Sequence, residues 1–172
     1  MKICVIGYSG AGKSTLAKIL GEKFNLPVLH LDATFWYGDW QNRTREQQSE
    51  IVGDFMLKNS DGWIIDGNYL RICPQRFTEC DVMYFLNYNR FVCFKQARNR
   101  YKTFKGKARG DCPCAEKFDL EFALWILFKG RTIKHKKNFK SLLVNCRGKT
   151  FVFKNRRALN EYLQTLDKTA LQ

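Results

Sequence analysis

One segment near the start of the chain limits its fold more than any other. Gly7-Tyr8-Ser9-Gly10-Ala11-Gly12-Lys13-Ser14 has the spacing G-x-x-x-x-G-K-[ST], between an apolar stretch at Lys2–Ile6 and a helical pattern at Ser14–Phe24. Glycines let the backbone approach a ligand closely, and the first N–H groups of a helix have no partner inside it. The segment therefore predicts a strand, a tight turn and a helix N-terminus that binds a chain of phosphates.

The motif assigns separate roles to the side chains of this loop. We expect Lys13 to contact the β- and γ-phosphates and to act in catalysis, and the hydroxyl of Ser14 to hold Mg²⁺. The predicted cofactors are thus ATP and Mg²⁺. The other loop residues predicted to bind the nucleotide are Gly7, Tyr8, Ser9, Gly10, Ala11, Gly12 and Thr15.

The length and apolar content of the chain fit a single compact domain. The chain has 172 residues, of which 45% are hydrophobic, and we expect one domain over residues 1–172. Its longest apolar run, Phe122–Phe128, is too short to span a membrane, and too few residues precede Gly7 to form a secretory signal. We therefore expect a cytoplasmic protein without a membrane partner, either a monomer or a homodimer.

The seven cysteines favour reduced thiols over a disulfide framework. Their number is odd, and no pair has the spacing C-x-x-C. Cys112-Pro113-Cys114 could offer two ligands to zinc, but His30 and His135 are distant in sequence. We interpret this segment as a loop turn.

Positive charge is concentrated in the second half of the chain. The net charge is +14, and residues 87–172 hold 21 Lys and Arg against 6 Asp and Glu, whereas residues 1–86 hold 9 against 10. A basic half of this kind is either a solvated surface or a surface that attracts anions. Both interpretations stay open from composition alone.

Strand and helix patterns alternate along the whole chain. Further apolar strands are predicted at Val28–Leu31, Trp63–Ile65, Val82–Leu86 and Thr150–Phe153. Helices are predicted at Thr44–Lys58, where Thr44 and Gln47 form a capping box, at Arg90–Lys102, and at the C-terminus. This alternation predicts an α/β fold, a five-stranded parallel sheet between two layers of helices.

Two aspartates follow predicted strands directly. Asp66 follows Trp63–Ile65, and Asp32 follows Val28–Leu31. Ligands of parallel sheets bind at the carboxyl ends of the strands, so both side chains are candidates for the site rather than simple helix caps. We expect Asp66 to bind Mg²⁺ or substrate, and Asp32 to orient or deprotonate an acceptor group or to join the metal site.

Several segments together resemble one family. Gly7–Thr15, Leu31-Asp32 followed by Phe35, Trp36 and Trp40, Trp63–Tyr69, and Arg109–Glu116 are similar to the proteins known as DNA topology modulation proteins, which resemble adenylate kinase and other P-loop kinases. The resemblance spans nearly the whole chain. It implies a P-loop NTPase fold of the adenylate-kinase type, with a mobile lid between the fourth and fifth strands. The adenylate-kinase acceptor signature Asp-Gly-Phe-Pro-Arg is matched only at Asp66-Gly67.

A helical, basic lid is predicted at about residues 98–146. Phosphoryl transfer requires cations that neutralise the transferred group, and arginines on a mobile segment can supply them. Arg98 is our first candidate on its helix and Arg100 the second, because the helix cannot aim both at one target. Arg109 follows Gly106, a possible hinge, and the resemblance also singles it out. The alternative is that all three are surface charges.

An acceptor pocket is predicted between Asp32, the helix Thr44–Lys58 and the segment after Asp66. Its expected walls are aromatic and amide side chains, and an arginine is expected to bind an anionic group of the acceptor. The aromatic residues could equally belong to the core. The candidates are Phe35, Trp36, Trp40, Asn68, Tyr69, Arg71 and Arg76.

Phe118–Phe128 is apolar on nearly every helical face, and a basic segment, Lys129–Lys140, follows it. We favour a buried helix with a solvated neighbour over a subunit interface or a membrane or nucleic-acid surface.

For the whole chain two functions are open. One is a kinase that transfers the γ-phosphoryl group of ATP to a small acceptor, and the other is an ATP-binding regulator associated with nucleic acid.

Overall fold

Five parallel strands form the centre of the molecule. The computed structural model describes residues 1–37, 41–108 and 110–169, the last three by their backbone only. The strands are β1 (Lys2–Gly7), β2 (Val28–His30), β3 (Trp63–Asp66), β4 (Val82–Leu86) and β5 (Lys149–Phe153). Their order in the sheet is β2-β3-β1-β4-β5, and every neighbouring pair is parallel. The prediction of a five-stranded parallel α/β sheet is confirmed.

The central strand explains why the sheet is buried. Ile3, Cys4, Val5 and Ile6 of β1 are fully buried between β3 and β4. An unbroken apolar strand is stable only where both of its faces are covered, so helices lie on both sides and the architecture has three layers. Because all five strands are parallel, their carboxyl ends share one edge of the sheet. The last residues of β1, β3 and β2 at this edge are Gly7, Asp66 and His30.

Eight α-helices surround this sheet in the described part of the chain. They are α1 (Lys13–Phe24), α2 (Leu31–Phe35), α3 (Arg45–Lys58), α4 (Gln75–Glu79), α5 (Arg90–Phe104), α6 (Leu120–Leu127), α7 (Ile133–Asn145) and α8 (Arg156–Thr169), with a 3-10 turn at Lys129–Arg131.

The predicted capping box is present at the start of α3. The hydroxyl of Thr44 accepts from the N–H of Gln47, while the side chain of Gln47 accepts from the N–H of Thr44 at 3.0 Å. The second predicted strand ends one residue early, because Leu31 already begins α2. Asp32 is therefore in the first turn of a short helix rather than at the end of a strand.

The prediction that the apolar segment before Lys129 is a buried helix is wrong. Only Ile126 of α6 is buried, whereas Leu120 is 75% exposed and Trp125 is 40% exposed. The helix contacts α5 and the turn at Lys129–Arg131, and the ring of Trp125 contacts His135 of α7 edge-on at 5.4 Å. The apolar residues on every face of α6 therefore do not indicate that this helix is buried.

The cysteines are free thiols, as the sequence indicated. Cys112 and Cys114 are buried, and the thiol of Cys114 donates to the carbonyl of Tyr37 at 3.4 Å. In the described ranges, no group of three or more His, Cys, Asp or Glu residues could hold a metal ion. Nor does any helix found there have the length and apolarity to cross a membrane.

Candidate active site

A cleft of ≈ 1110 Å³ opens at the carboxyl edge of the sheet. The loop Gly7–Ser14 forms its floor, and α5, α6 and α7 contribute the opposite side. The loop residues that line it are Tyr8, Ser9, Gly10, Gly12, Lys13, Ser14 and Thr15. Nearly all of the predicted nucleotide-binding residues thus lie in one cleft, while Gly7 and the buried Ala11 support them from behind.

The backbone of the loop takes conformations at two positions that require glycine. Gly10 has φ +80° and Gly12 has φ +90°, a region that residues with a Cβ rarely adopt. A Cβ on Gly10 would also lie 2.4 Å from the carbonyl oxygen of Cys93 on α5. Gly12 caps α1, so the free N–H groups of the first turn and the side chains of Lys13 and Ser14 converge on the cleft. This arrangement can hold a phosphate chain.

The side chain of Asn68 holds the start of this loop in place. Its Oδ1 accepts from the N–H of Gly7 at 3.0 Å, and its Nδ2 donates to the carbonyl of Gly7 at 2.7 Å. Asn68 also lines the cleft. We predicted Asn68 as a substrate contact, and its two bonds to the loop give it a positioning role as well.

Asp32 and Tyr69 form a hydrogen-bonded pair in the same cleft. The hydroxyl of Tyr69 donates to Oδ1 of Asp32 at 2.7 Å, and both side chains line the cleft. Burial of the Tyr69 ring, together with the neighbouring carboxylate, raises the pKa of Tyr69 well above its ordinary value. The hydroxyl therefore stays protonated and donates, and among the described residues no second side chain is seen to bind Oδ2 of Asp32.

The aromatic residues predicted around Asp32 belong to both the core and the cleft. The ring of Phe35 stacks on Tyr69 at 4.7 Å and contacts Trp36 edge-on at the same centroid distance. We call the side of the cleft that these residues form the acceptor wall. Its described members are Asp32, Phe35, Trp36, Asn42, Asn68, Tyr69, Leu70, Asp111 and Cys112.

Asp66 lies deeper than the sequence suggested. Its side chain is 3% exposed, and its Oδ2 is 2.9 Å from Nδ1 of His30 at the end of the neighbouring strand. Asp66 is not among the cleft-lining residues, although Gly67 is. The structure thus brings Ser14 to the cleft and pairs Asp66 with His30 behind it.

Arg76 and Arg71 are placed differently from the prediction. The guanidinium of Arg76 is completely buried; it donates to the carbonyls of Ile72 and Tyr69, and burial lowers its pKa to about 10. Arg71 is exposed, and its carbonyl accepts from the guanidinium of Arg45. Neither side chain lines the cleft, because Arg76 braces the backbone beneath Tyr69 and Arg71 faces outward.

On α5 it is Arg100 and not Arg98 that faces the cleft, which is the reverse of the order predicted from the sequence. Arg100 lines the cleft and forms a salt bridge with Glu116 at 2.8 Å, whereas Arg98 is exposed and does not line the cleft. Residues two apart on a helix point in nearly opposite directions, so only one of them can face the phosphate loop. The candidates Arg109 and Trp40 lie outside the described residues.

A residue that sequence reasoning missed joins the predicted lid to the loop. The guanidinium of Arg131 lies 3.7 Å from the centroid of the Tyr8 ring and donates to the thiol of Cys93 and the carbonyl of Ile126. Phe139 of α7 contacts the same tyrosine edge-on at 5.1 Å. The segment after α6 thus packs directly on the nucleotide loop.

The sequence did not predict that certain other residues would line the cleft. Arg156 at the start of α8, Lys129 and Glu116 line the cleft only because distant segments meet there. His30 precedes Asp32 by two residues, and only the pairing of β2 with β3 shows that it contacts Asp66. A motif search cannot find such residues, since their role depends on tertiary contacts.

The donor set suits a nucleotide with Mg²⁺ better than a protein-held metal. Mg²⁺ keeps several waters and is commonly bound through substrate phosphates and one or two protein oxygens. Ser14 at the start of α1 supplies one such oxygen in the cleft. Asp66 is engaged by His30, so the residues present fit a metal brought mainly by the phosphates.

Comparisons with solved structures agree with this fold. Shikimate kinase from Bacteroides thetaiotaomicron matches with a TM-score of 0.54 and 19% identity over 100% of this chain and 99% of that chain. Deoxyadenosine kinase from M. mycoides matches with a TM-score of 0.54 and 14% identity over 100% of each chain. A sugar kinase from Janibacter sp. matches with a TM-score of 0.52 and 14% identity over 97% of this chain and 94% of that chain.

No family model matches this chain, and no relative is found among the curated proteins. The resemblance to DNA topology modulation proteins therefore gains no support from the comparisons. The resemblance to P-loop kinases is supported at the level of the fold, since identities below 20% show architecture alone. The chain has the three-layer α/β fold of the P-loop kinases.

Proposed function

We propose that this protein is a phosphotransferase that moves the γ-phosphoryl group of ATP to a small acceptor. The observation that carries the proposal is the shared cleft, which is lined both by the loop with Lys13 and by the hydrogen-bonded pair of Asp32 and Tyr69. A carboxylate that is oriented by a hydroxyl donor is a group that can accept the proton of an acceptor alcohol. Since ATP is the donor, we also propose a cytoplasmic setting.

The residues of the cleft divide into two tasks. Backbone N–H groups of the loop and Lys13 hold the phosphates and offset their charge, and Ser14 would hold the accompanying Mg²⁺, which supplies further charge neutralisation. On the acceptor wall, Tyr69 fixes one oxygen of Asp32, so that the other can accept the proton of an acceptor hydroxyl. Asp66 remains a candidate for a water-mediated contact to the metal.

The direct test is transfer of ³²P from γ-labelled ATP to a panel of nucleosides, nucleotides and sugars. Lys13→Ala should abolish transfer and leave the fold intact, while the exposed Lys18→Ala on the same helix should leave transfer unchanged. No transfer to any acceptor in spite of tight ATP binding would contradict the proposal.

Asp32→Asn separates two roles of this carboxylate. If Asp32 acts on the acceptor, the exchange lowers kcat by about 100-fold or more and leaves ATP binding unchanged. A parallel loss of Mg²⁺-ATP binding would instead make Asp32 a metal ligand. Asp54→Asn, which removes an exposed carboxylate on α3, is the matched control.

A regulator associated with nucleic acid is the second candidate, as the resemblance to DNA topology modulation proteins implies. The favouring observation is a row of exposed lysines on α7: Lys134, Lys136, Lys137 and Lys140. Such a surface supports salt-sensitive binding without sequence preference. DNA affinity that disappears near physiological salt would leave the kinase as the better proposal, and affinity that persists would favour the regulator.

A further inference from the structure

Two thiols contact each other at the edge of the sheet that lies opposite to the cleft. Sγ of Cys80 is 3.4 Å from Sγ of Cys146, although the two residues are 66 positions apart in the chain. Cys80 lies between α4 and β4, and Cys146 lies between α7 and β5. Since β4 and β5 are neighbouring parallel strands, both thiols precede the amino ends of the strands, whereas the cleft opens at the carboxyl ends.

The backbone that follows the two cysteines holds them next to each other. The N–H of Lys149 donates to the carbonyl of Asp81 at 2.8 Å, and Val82 pairs with Lys149 in the register of β4 and β5. Gly148 lies so close to Asp81 that a Cβ on it would be 2.1 Å from the carbonyl oxygen of that residue. A bond between the two cysteines requires only that their sulfur atoms close from 3.4 Å to about 2.05 Å.

The thiol pair can be reached from the surface. Cys80 is 1% exposed, but it lines an open cavity of ≈ 890 Å³, and Cys146 is half-buried. A small neutral oxidant such as hydrogen peroxide therefore has a route to the pair, and the half-buried Cys146 is the thiol that it meets first.

Cys146 is also the better nucleophile of the pair. Burial and a hydrogen bond with Cys80 raise the pKa of Cys146 to about 11, while a hydrogen bond with Cys4 and burial raise the pKa of Cys80 well above its ordinary value. Cys4 is itself fully buried on β1, where its thiol donates to the carbonyl of Arg76 at 3.4 Å. Because the thiolate is the reactive form, the small thiolate fraction makes oxidation of this pair slow at neutral pH.

We propose that Cys80 and Cys146 form a site of reversible oxidation, at which a peroxide converts the two contacting thiols into a disulfide. Inside cells most thiols are kept reduced, and disulfides that form there are commonly transient ones that respond to oxidants. This oxidation is independent of the proposed phosphotransferase activity, since Cys80 and Cys146 do not line the cleft.

The reaction takes two steps. The sulfur of the Cys146 thiolate attacks one oxygen of hydrogen peroxide, the O–O bond breaks, and the departing hydroxide takes up the proton of the former thiol, which gives water and a sulfenic acid at Cys146. The sulfur of Cys80 then attacks the sulfur of this sulfenic acid, the S–O bond breaks, and the departing hydroxide takes up the proton of the Cys80 thiol. Two thiols and one hydrogen peroxide thus give one disulfide and two waters. Two molecules of a thiol such as glutathione reduce this disulfide again by exchange and leave as their own disulfide.

The disulfide links the end of α4 to the end of α7. A cross-link over 66 positions restricts the unfolded chain, so we expect the Tm of the oxidised protein to be higher by about 5 °C or more. Because α7 also carries Phe139, which contacts Tyr8 of the phosphate loop, the link anchors the helix that packs on that loop.

The test is oxidation of the full-length protein with hydrogen peroxide, after complete reduction and removal of the reductant. The remaining thiols are then alkylated, and the protein is analysed by intact mass, by peptide mapping without reduction, and by thermal unfolding. We expect two of the seven thiols to escape alkylation, a peptide pair joined through Cys80 and Cys146, a raised Tm, and a return to the starting state with dithiothreitol.

A serine variant and a matched control show whether this pair causes the effect. Cys146→Ser changes a half-buried position, and it should give neither the joined peptides nor the rise in Tm. Cys73→Ser is the control: Cys73 is also half-buried and burial also raises its pKa, but its thiol donates to the carbonyl of Ser49 at 3.0 Å. The control should keep both the joined peptides and the rise in Tm.

Several results would overturn the inference. They are alkylation of all seven thiols after prolonged oxidation, a bridge that joins Cys4 to Cys80 instead, and a sulfinic or sulfonic acid at Cys146 without a bridge. A rise in Tm with peroxide that persists in Cys146→Ser would contradict the proposed link as well. The peptide map of the unsubstituted protein decides between the bridge and its alternatives even if the variant does not fold.

Discussion

The side chain of Asn68 makes both of its hydrogen bonds to the backbone of Gly7, at 3.0 Å and 2.7 Å. One amide thus ties the segment after β3 to the first residue of the phosphate loop, 61 positions earlier in the chain. Gly7 ends β1 with φ +152°, which residues with a Cβ rarely adopt, and the two bonds hold its backbone in this conformation. The segment after β3 and the loop Gly7–Ser14 are therefore held together by this one side chain.

Asn68→Ala should weaken ATP binding and lower stability. It leaves the N–H and the carbonyl of Gly7 without partners, which costs about 2 kcal/mol in the free energy of unfolding. Asn68→Asp keeps the shape but loses the donor and places a charge near the phosphates, so it should weaken ATP binding more than Asn68→Ala does. Calorimetric titration with ATP and urea unfolding measure both effects. The exposed Asn160→Ala is the control, and equal ATP affinity in all four proteins would show that the tie does not matter.

Arg131 should be required for the segment after α6 to pack on the loop. Its guanidinium combines a contact to the Tyr8 ring with bonds to Cys93 and Ile126, a geometry that lysine cannot reproduce. Arg131→Ala should cost about 2 kcal/mol, a fall in Tm of roughly 4–8 °C, and raise KM for ATP. Arg131→Lys should fail to restore either property. If lysine does restore them, charge alone matters; the exposed Arg147→Ala serves as the comparison in thermal unfolding and kinetics.

Arg100 should contribute more to phosphoryl transfer than Arg98. Arg100 lines the cleft, whereas Arg98 is exposed on the other side of α5. Removal of a cation that stabilises the transferred group lowers kcat by about 100-fold or more. We expect that loss in Arg100→Ala and a change below about twofold in Arg98→Ala, measured as kcat with saturating ATP. A larger loss of kcat in Arg98→Ala than in Arg100→Ala would contradict this prediction and support the order predicted from the sequence.

The fold could be predicted because its signals are local. The apolar strand Val82–Leu86, for example, has the same bounds in the structure as in the prediction. Thr44 and Gln47 indicate the start of α3 because they form a capping box within four residues of sequence. The phosphate loop is also a continuous segment. Each of these features depends on neighbours in sequence, which a pattern can show.

The roles of the arginines around the cleft were harder to predict from the sequence, because the residues that contact them are distant in the chain and meet only after folding. The sequence offered Arg71 and Arg76 for an anionic group, yet one is exposed and the other is buried beneath the carbonyl of Tyr69. The contact of Arg131 with Tyr8 joins residues 123 positions apart, and no spacing rule links them. Side-chain direction and long-range packing decide these roles, and neither is encoded in a short motif.

The hydrogen bond between Tyr69 and Asp32 gives a prediction with a defined pH dependence. Tyr69→Phe keeps the ring that stacks on Phe35 and removes only the donor to the carboxylate. Because hydrogen bonds to charged groups contribute about 1.5–3 kcal/mol, we expect a loss of about 2 kcal/mol in the free energy of unfolding at pH 7. The variant should also lower kcat by about tenfold, since Asp32 loses the partner that orients it.

The pH dependence of that loss reports the pKa of Tyr69. Burial and the neighbouring Asp32 raise this pKa above the ordinary value of the unfolded chain. The folded protein then keeps the phenolic proton at a pH where the unfolded chain has lost it, so the stabilisation is constant below the unfolded pKa of about 10 and declines as the pH rises above it. The difference between the wild-type protein and Tyr69→Phe should therefore be flat from pH 7 to about 9 and shrink above about pH 10, as urea unfolding would measure. Tyr37→Phe, which removes an exposed hydroxyl bound to Gln47, should show neither effect, and a difference that stays constant through about pH 11 would contradict the raised pKa.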